Sequence, residues 1–425
     1  MGQGDITERR AEGAQAGDTA LLIACARLLF ANGQTTERTI QSVEHLGAHL
    51  GLTVAISARW GELALRIAGP DGTERLEVVE VAPAGVEMHK VTETLDVMNA
   101  VCAGSRTPAQ ALADLAGVAK LPPVSLARFA GLAGAGAAAL GVIFGTSQPL
   151  SLLLIFASAA GGAALRRGLA HLFPSFLTQP LGAAVLAGLV AAFAARMLPG
   201  TDIFLIALCP CMVLVPGPHL LNSAIDLARL RLPLGGARLA FASLVILLIS
   251  VGLIAGMSAG GANLPVTGGG SAPLLADVIA AGIAVSAYGT FFSMPWRMLP
   301  FPMLVGMGAH ALHWAVLKLG GGLGLSAFLA CLFVGAVVTP VANRLRLPFA
   351  AVAFASVVSL IPGSFVFRMA ADLVGMLDAG REASLTLLLA ALSDGTNAAT
   401  IMVAMAFGLI LPKMLLDHLS PPKLP

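Results

Sequence analysis

The residues of this chain that could do chemistry in an apolar setting are few, and they recur in a pattern. Val215-Pro216-Gly217 is matched by Ile361-Pro362-Gly363, and in each case an Asp-Leu pair begins nine residues after the Gly, at Asp226 and Asp372. Pro removes a backbone donor and disrupts a helix, and Gly permits backbone angles that other residues avoid. Inside a membrane such a break exposes backbone groups that protein, water or a substrate must satisfy. A helix restarting beyond it aims its N–H groups and positive dipole end at the gap, which suits a carboxylate. Pro216, Gly217, Pro362, Gly363 and the adjoining Ser364 are therefore candidate substrate-binding positions. Asn222 and Arg368 hold equal offsets in the two motifs and join that set. Arg368 suits bidentate contact with a carboxylate, and it is equally suited to anchoring at the interface or to pairing with Asp372 four residues on. Asp226 and Asp372 themselves read as structural positions that cap or pair near the membrane surface.

Three further ionisable residues fall within apolar runs, where such groups are costly and usually functional. Asp394, in Ser393-Asp394-Gly395-Thr396-Asn397, is the leading candidate for loading and releasing a proton, with Asn397 as a structural neighbour. His310 and His313 are three residues apart, on one helix face, and suit a proton relay; satisfaction by neighbouring helices is the alternative. Asp202 and Asp277 stand at the ends of apolar runs and are expected to be solvated.

The elements that must position these groups follow from composition. Of 425 residues, 57% are hydrophobic and 11% charged, against about 25% charged in soluble proteins. The charge is concentrated before residue 120. From Phe129 to Leu411 the chain is a succession of Ala/Leu/Val/Gly runs, each close to the ~20 residues that cross a bilayer. Ten spans are expected, at about 129–146, 149–166, 174–196, 202–221, 238–258, 273–294, 299–317, 324–343, 348–367 and 384–411. Loop charges orient them. One set of loops holds Arg166, Arg167, Arg229, Arg231, Arg238, Arg297, Arg344, Arg346, Lys413 and Lys423; the other holds Arg196, Lys318, Arg368 and Arg381. No signal-peptide pattern opens the chain, so both termini are expected in the cytoplasm.

Before the spans, caps and turns outline a small α+β domain. An apolar stripe over 18–32 ends at Asn32-Gly33, Thr35 caps a second helix to about Leu50, strands are expected near 53–58, 62–69 and 75–81, and helices near 88–103 and 107–117. His45 and His49 have a metal-ligand spacing but lack the glutamate of a zinc protease, and a solvated helix face is the expected reading. The five cysteines are read as reduced and packed. A net charge of +2 gives no basis for nucleic-acid binding. No cofactor or metal site is expected.

Phe144-Gly145-Thr146 is echoed by Tyr288-Gly289-Thr290, so the matched motifs describe halves of five spans each. Two copies of an odd number of spans must lie in opposite orientation, an arrangement known among transporters. The expected fold class is thus an α-helical polytopic membrane protein with two inverted five-helix repeats, at 123–258 and 273–415, after a soluble domain at 1–122.

The stretches VPGPHLLNSAIDL (215–227), RLLFANGQTTERTIQSVEHLGAHLGL (27–52), VAPAGVEMHKV (81–91) and IPGSFVFRMAADL (361–373) resemble the threonine/serine exporter family, and the resemblance spans nearly the whole chain. It implies export of threonine or serine across a bacterial inner membrane, driven by the proton gradient, or of a dicarboxylate such as succinate as in split relatives. Pro218-His219 departs from the residues expected after Pro-Gly. Partners implied are the small substrate, protons and the bilayer, and homo-oligomerisation stays open. The rivals are an intramembrane enzyme, for which no paired nucleophile and base stands out, and a scaffold or receptor, which has no need of midplane breaks. No phosphate-binding Gly-Lys-Ser/Thr loop is present, so direct ATP drive is not expected.

Overall fold

The computed structural model describes residues 3–173, 175–263, 270–345, 349–382 and 384–419; Arg346 and Lys423, counted above among the loop charges, lie outside them. The N-terminal part runs α1 (Gln3–Ala31), α2 (Thr36–His49), β1 (Thr53–Arg59), β2 (Gly61–Ala68), β3 (Glu74–Val81), α3 (Met88–Cys102) and α4 (Pro108–Ala119). The strands form one antiparallel sheet in the order β1-β2-β3, with Thr53 opposite Ala68 and Gly61 opposite Val81. Thr35 caps α2 through its side chain, and Thr107 opens α4 with a reciprocal capping box to Gln110. Leu22, Cys25, Leu29, Leu46, Leu63, Leu65 and Met88 are fully buried together as the core of this part. The helix α1 begins well before the apolar stripe at 18. Its early residues, rich in Glu, Arg, Ala and Gln, have good helix propensity but no periodic stripe to reveal it.

The membrane part comprises α5 (Leu126–Ile143), α6 (Pro149–Leu172), α7 (Thr178–Met197), α8 (Ile203–Met212), α9 (Gly217–Ala228), α10 (Leu232–Ala259), α11 (Leu274–Phe291), α12 (Pro300–Lys318), α13 (Leu323–Leu345), α14 (Phe349–Val357), α15 (Gly363–Ala379) and α16 (Leu385–Leu419). Seven of these helices are long and apolar enough to span a bilayer, and nine spans result if α8 with α9, and α14 with α15, each count as one bent span. The tenth expected position is the helix α12, whose two histidines and terminal lysine hold it below that apolarity. Small residues let the helices approach closely: a Cβ on Gly136 of α5 would lie 2.3 Å from the Ala287 Cβ of α11.

The N-terminal part is stitched to the membrane part. Thr36 Oγ1 donates to Asp226 Oδ2 at 3.1 Å, where Arg238 Nη1 also pairs at 3.0 Å. Asp226 and Arg238 are 1% and 2% exposed, so the pair is buried. Glu37 pairs with Arg229 at 3.0 Å and with Arg231 at 2.6 Å. Burial pushes the Glu37 carboxyl up, but the hydrogen bond from Arg231, the charges of Arg229 and Arg231 and the bond from Gln41 outweigh it and hold it below the ordinary range. Arg38 donates to Asn343 Oδ1 in the second half of the chain. Trp60, in the β1–β2 turn, packs on Phe241 of α10 with ring centroids 5.0 Å apart.

Candidate functional site: two cavities at two helix breaks

The matched Pro-Gly pairs form matched breaks. The axes of α8 and α9 differ by 58°, and those of α14 and α15 by 59°. Pro216 (φ −81°, ψ 61°) and Pro362 (φ −75°, ψ 45°) adopt nearly the same backbone. In each, the following Gly N–H bonds two residues back, Gly217 to Val215 at 2.9 Å and Gly363 to Ile361 at 2.7 Å, so each break is an inverse γ-turn centred on Pro. The breaks also interlock across the halves. A Cβ on Gly217 would lie 1.4 Å from Phe354 Cζ, and one on Gly363 would lie 3.0 Å from Met212 Cε.

A cavity of about 370 Å³ lies against the first break. Pro216, Pro218 and His219 form one wall, Arg166 and Arg167 of α6 another, and Phe291 to Ser293 a third; Ala84 to Glu87 of the N-terminal part cover it. Arg167 donates to the Val124 carbonyl and stacks over Phe129 at 5.0 Å. Arg166 stacks over Phe291 at 4.5 Å. Its Nε and Nη1 are enclosed, and among the described residues the guanidinium has no hydrogen-bond or ion-pair partner. A half-buried guanidinium in that condition is a standing demand for an anion.

A second cavity, of about 210 Å³, lies against the second break. Phe129, near the start of α5, lines the first cavity, whereas Ile143 and Phe144, at its end, line the second. The two cavities therefore lie toward opposite ends of α5. Pro362, Ser364, His310 and His313 line the second together. His310 Nδ1 lies 2.9 Å from Asp277 Oδ2, and its Nε2 lies 2.6 Å from Ser359 Oγ. The ring centroid of His313 is 6.3 Å from that of His310. This is a carboxylate–imidazole–hydroxyl chain at the cavity wall, a geometry able to pass a proton.

Family models match the chain over two stretches: one described as putative threonine/serine exporter over residues 20–260, the other as threonine/serine exporter, ThrE, over residues 277–415. The chain belongs to the threonine/serine exporter family. It is a multi-pass membrane protein of an amino-acid exporter family. No curated protein and no solved structure matches it.

Of the residues singled out by sequence, Arg368 and Asp394 meet each other rather than a cavity. Arg368 Nε and Nη2 donate to the two Asp394 carboxylate oxygens at 3.0 and 3.1 Å. The pairing of Arg368 with Asp372 is replaced by this one, because α16 brings Asp394 within bidentate reach. Asp372 is 1% exposed, with neither oxygen hydrogen-bonded among the described residues. Asn222 is 4% exposed and its Oδ1 has no hydrogen-bond partner among the described residues, and Asn397 is half-buried on α16. Asn222, Arg368, Asp394 and Asn397 line neither cavity. The expectation that Asp277 is solvated is overturned: it is 7% exposed, and α12 presents His310 against its carboxylate. Asp202 is exposed as expected, and accepts a bond from Thr146. Arg166, Asp277, Ser359 and Glu87 were not among the sequence candidates.

Proposed function

We propose that the chain is a secondary transporter that exports threonine, serine or a related small hydroxy amino acid across a bacterial inner membrane in exchange for protons. The observation that carries this reading is the partnerless Arg166 guanidinium in the wall of the cavity at the first break. A carboxylate placed there would neutralise it. The five-plus-five halves are read as inverted repeats, on the support of the two matched γ-turn breaks. Rocking of one half against the other would then expose the Arg166 cavity to the cytoplasm and the His310 cavity to the outside in turn. Asp277, His310 and Ser359, with His313 beside them, are read as the proton-coupling site. Arg368 and Asp394 are read as a lock between α15 and α16. Divided in this way, the chain is a cytoplasmic domain at 1–122 and repeats at 123–258 and 273–415, with both termini in the cytoplasm.

The test is counterflow in proteoliposomes preloaded with unlabelled threonine, serine or succinate. Saturable uptake of labelled threonine or serine by the wild type is expected. Arg166→Gln should raise the KM about 10–100-fold, the loss of a charge-assisted contact. Uptake of succinate alone, or an Arg166→Gln protein with unchanged KM, would remove the reading.

A further inference from the structure

The N-terminal part does more than sit beside the membrane helices, because its segment at 84–87 lines the Arg166 cavity. Two backbone bonds hold that segment in place. Glu87 N–H donates to the Asn32 carbonyl at 3.1 Å, and Met88 N–H donates to the Phe292 carbonyl of the second half at 2.8 Å. His219, just past the first break, lines the same cavity as Ala84 to Glu87.

The charges of the cavity wall distinguish between substrates. A dicarboxylate requires two available cations and is repelled by a carboxylate. Among the described residues lining the cavity, Arg166 is partnerless, whereas Arg167 is committed to the Val124 carbonyl. Glu87 is the sole carboxylate in that lining. Its Oε2 is balanced from outside the cavity by Lys90 Nζ at 2.8 Å, with His89 Nε2 at 3.9 Å. One available guanidinium and one carboxylate complement a zwitterion. A site built to bind an ammonium group discriminates strongly against an analogue lacking it, because its own polar group is then left unpaired.

We propose that Glu87 of the N-terminal domain is a specificity-determining residue of the transport site: it takes the ammonium group of an amino acid whose carboxylate lies on Arg166. This rests on the export reading above, and it gives the N-terminal domain a direct part in choosing the substrate. Lys90 lies against the other side of that carboxylate, outside the cavity lining.

The experiment is counterflow of labelled threonine by the full-length protein in proteoliposomes, for wild type, Glu87→Gln and Lys90→Met, with 3-hydroxybutyrate as a competitor that keeps the carboxylate and hydroxyl but lacks the ammonium. Thermal unfolding in detergent checks that each variant folds. Glu87→Gln is expected to raise the KM for threonine about 10–100-fold with little change in maximal rate, and to leave inhibition by 3-hydroxybutyrate unchanged or stronger. Lys90→Met is expected to leave the threonine KM unchanged or lower it. An unchanged KM in Glu87→Gln, with Arg166→Gln still impaired, overturns the assignment and leaves the export reading standing. An equal rise in Lys90→Met also overturns it, because the Glu87–Lys90 pair would then be the operative feature. Wild-type vesicles inert to every amino acid overturn both.

Discussion

The hydroxyl of Tyr288 on α11 donates to the Met212 carbonyl at 2.6 Å, joining the second half of the chain to the last residue of α8 in the first. Helix-end carbonyls lack an intrahelical partner. This one also receives the Val215 N–H, at 3.3 Å, and the Met212 side chain lies against Gly363. Tyr288→Phe keeps the ring and loses the bond. It is expected to lower stability by about 1 kcal/mol, at the lower end of the cost of a partly orphaned buried acceptor. Thermal unfolding in detergent measures it, and an unchanged midpoint would show that Val215 satisfies the carbonyl alone.

Gly217 has no room for a side chain. A methyl group there would overlap the Phe354 ring, so Gly217→Ala must displace α14 from α9. Overpacking of this kind costs about 1–3 kcal/mol. The expected result is loss of transport with reduced stability, and Phe354→Leu in the same chain should restore part of both. Failure of that second change to help would mean that the Gly backbone, rather than the space, is what matters.

Breaking the buried Asp226–Arg238 pair from one side should be worse than removing it whole. Arg238→Met leaves Asp226 with Thr36 and with Arg231 at 3.6 Å. A cost of about 3–5 kcal/mol is expected, reduced where Arg231 moves in. The double variant Asp226→Asn/Arg238→Met should recover much of it in unfolding measurements. Equal losses in both proteins would point to packing rather than charge.

Docking of the N-terminal domain should weaken in acid through Glu37. Its folded value is depressed below the ordinary 4.5. The contribution is therefore fully present above the ordinary value and is lost as pH falls through the lowered folded value. Hydrogen exchange in α2 should rise as pH is taken from about 6 to about 3, after correction for intrinsic rates, and Glu37→Gln should flatten that rise. A profile that does not change with Glu37→Gln would assign the effect to other groups.

The carboxylate–histidine–serine chain gives a prediction that separates coupling from transport. His310→Gln is expected to keep threonine counterflow near the wild-type rate and to lose accumulation driven by an imposed pH gradient. Ser359→Ala should weaken that accumulation in the same direction. Counterflow and accumulation falling together would make His310 a structural or substrate residue instead.

The sequence made the helix breaks legible because Pro-Gly constrains backbone locally, and the matched offsets to Asp226 and Asp372 marked them twice. The stop at Asn32-Gly33 and the cap at Thr35 likewise marked helix limits in the N-terminal part by local rules. Arg166 was hidden by a boundary. An Arg at the end of an apolar run reads as a charge in a loop, yet α6 continues to Leu172, which draws the guanidinium into the helix body beside Phe291. Asp277 was hidden in the same way at the start of α11. Glu87 carries no signal of its own, because its place in the cavity depends on a bond between Met88 and Phe292, far apart in the chain.

Those long-range stitches have a consequence for how the molecule is made. The N-terminal domain leaves the ribosome first, but its surface is complementary to Asp226, Phe292 and Asn343, which are synthesised and inserted afterwards. At about 5–20 residues per second, the domain waits tens of seconds without its seat. Thr36, Glu37 and Arg38 suit that interval, since polar side chains are readily hydrated before their partners are made. The first part of the chain to be made is thereby the last to find its place, because the residues that seat it come from both halves of the bundle.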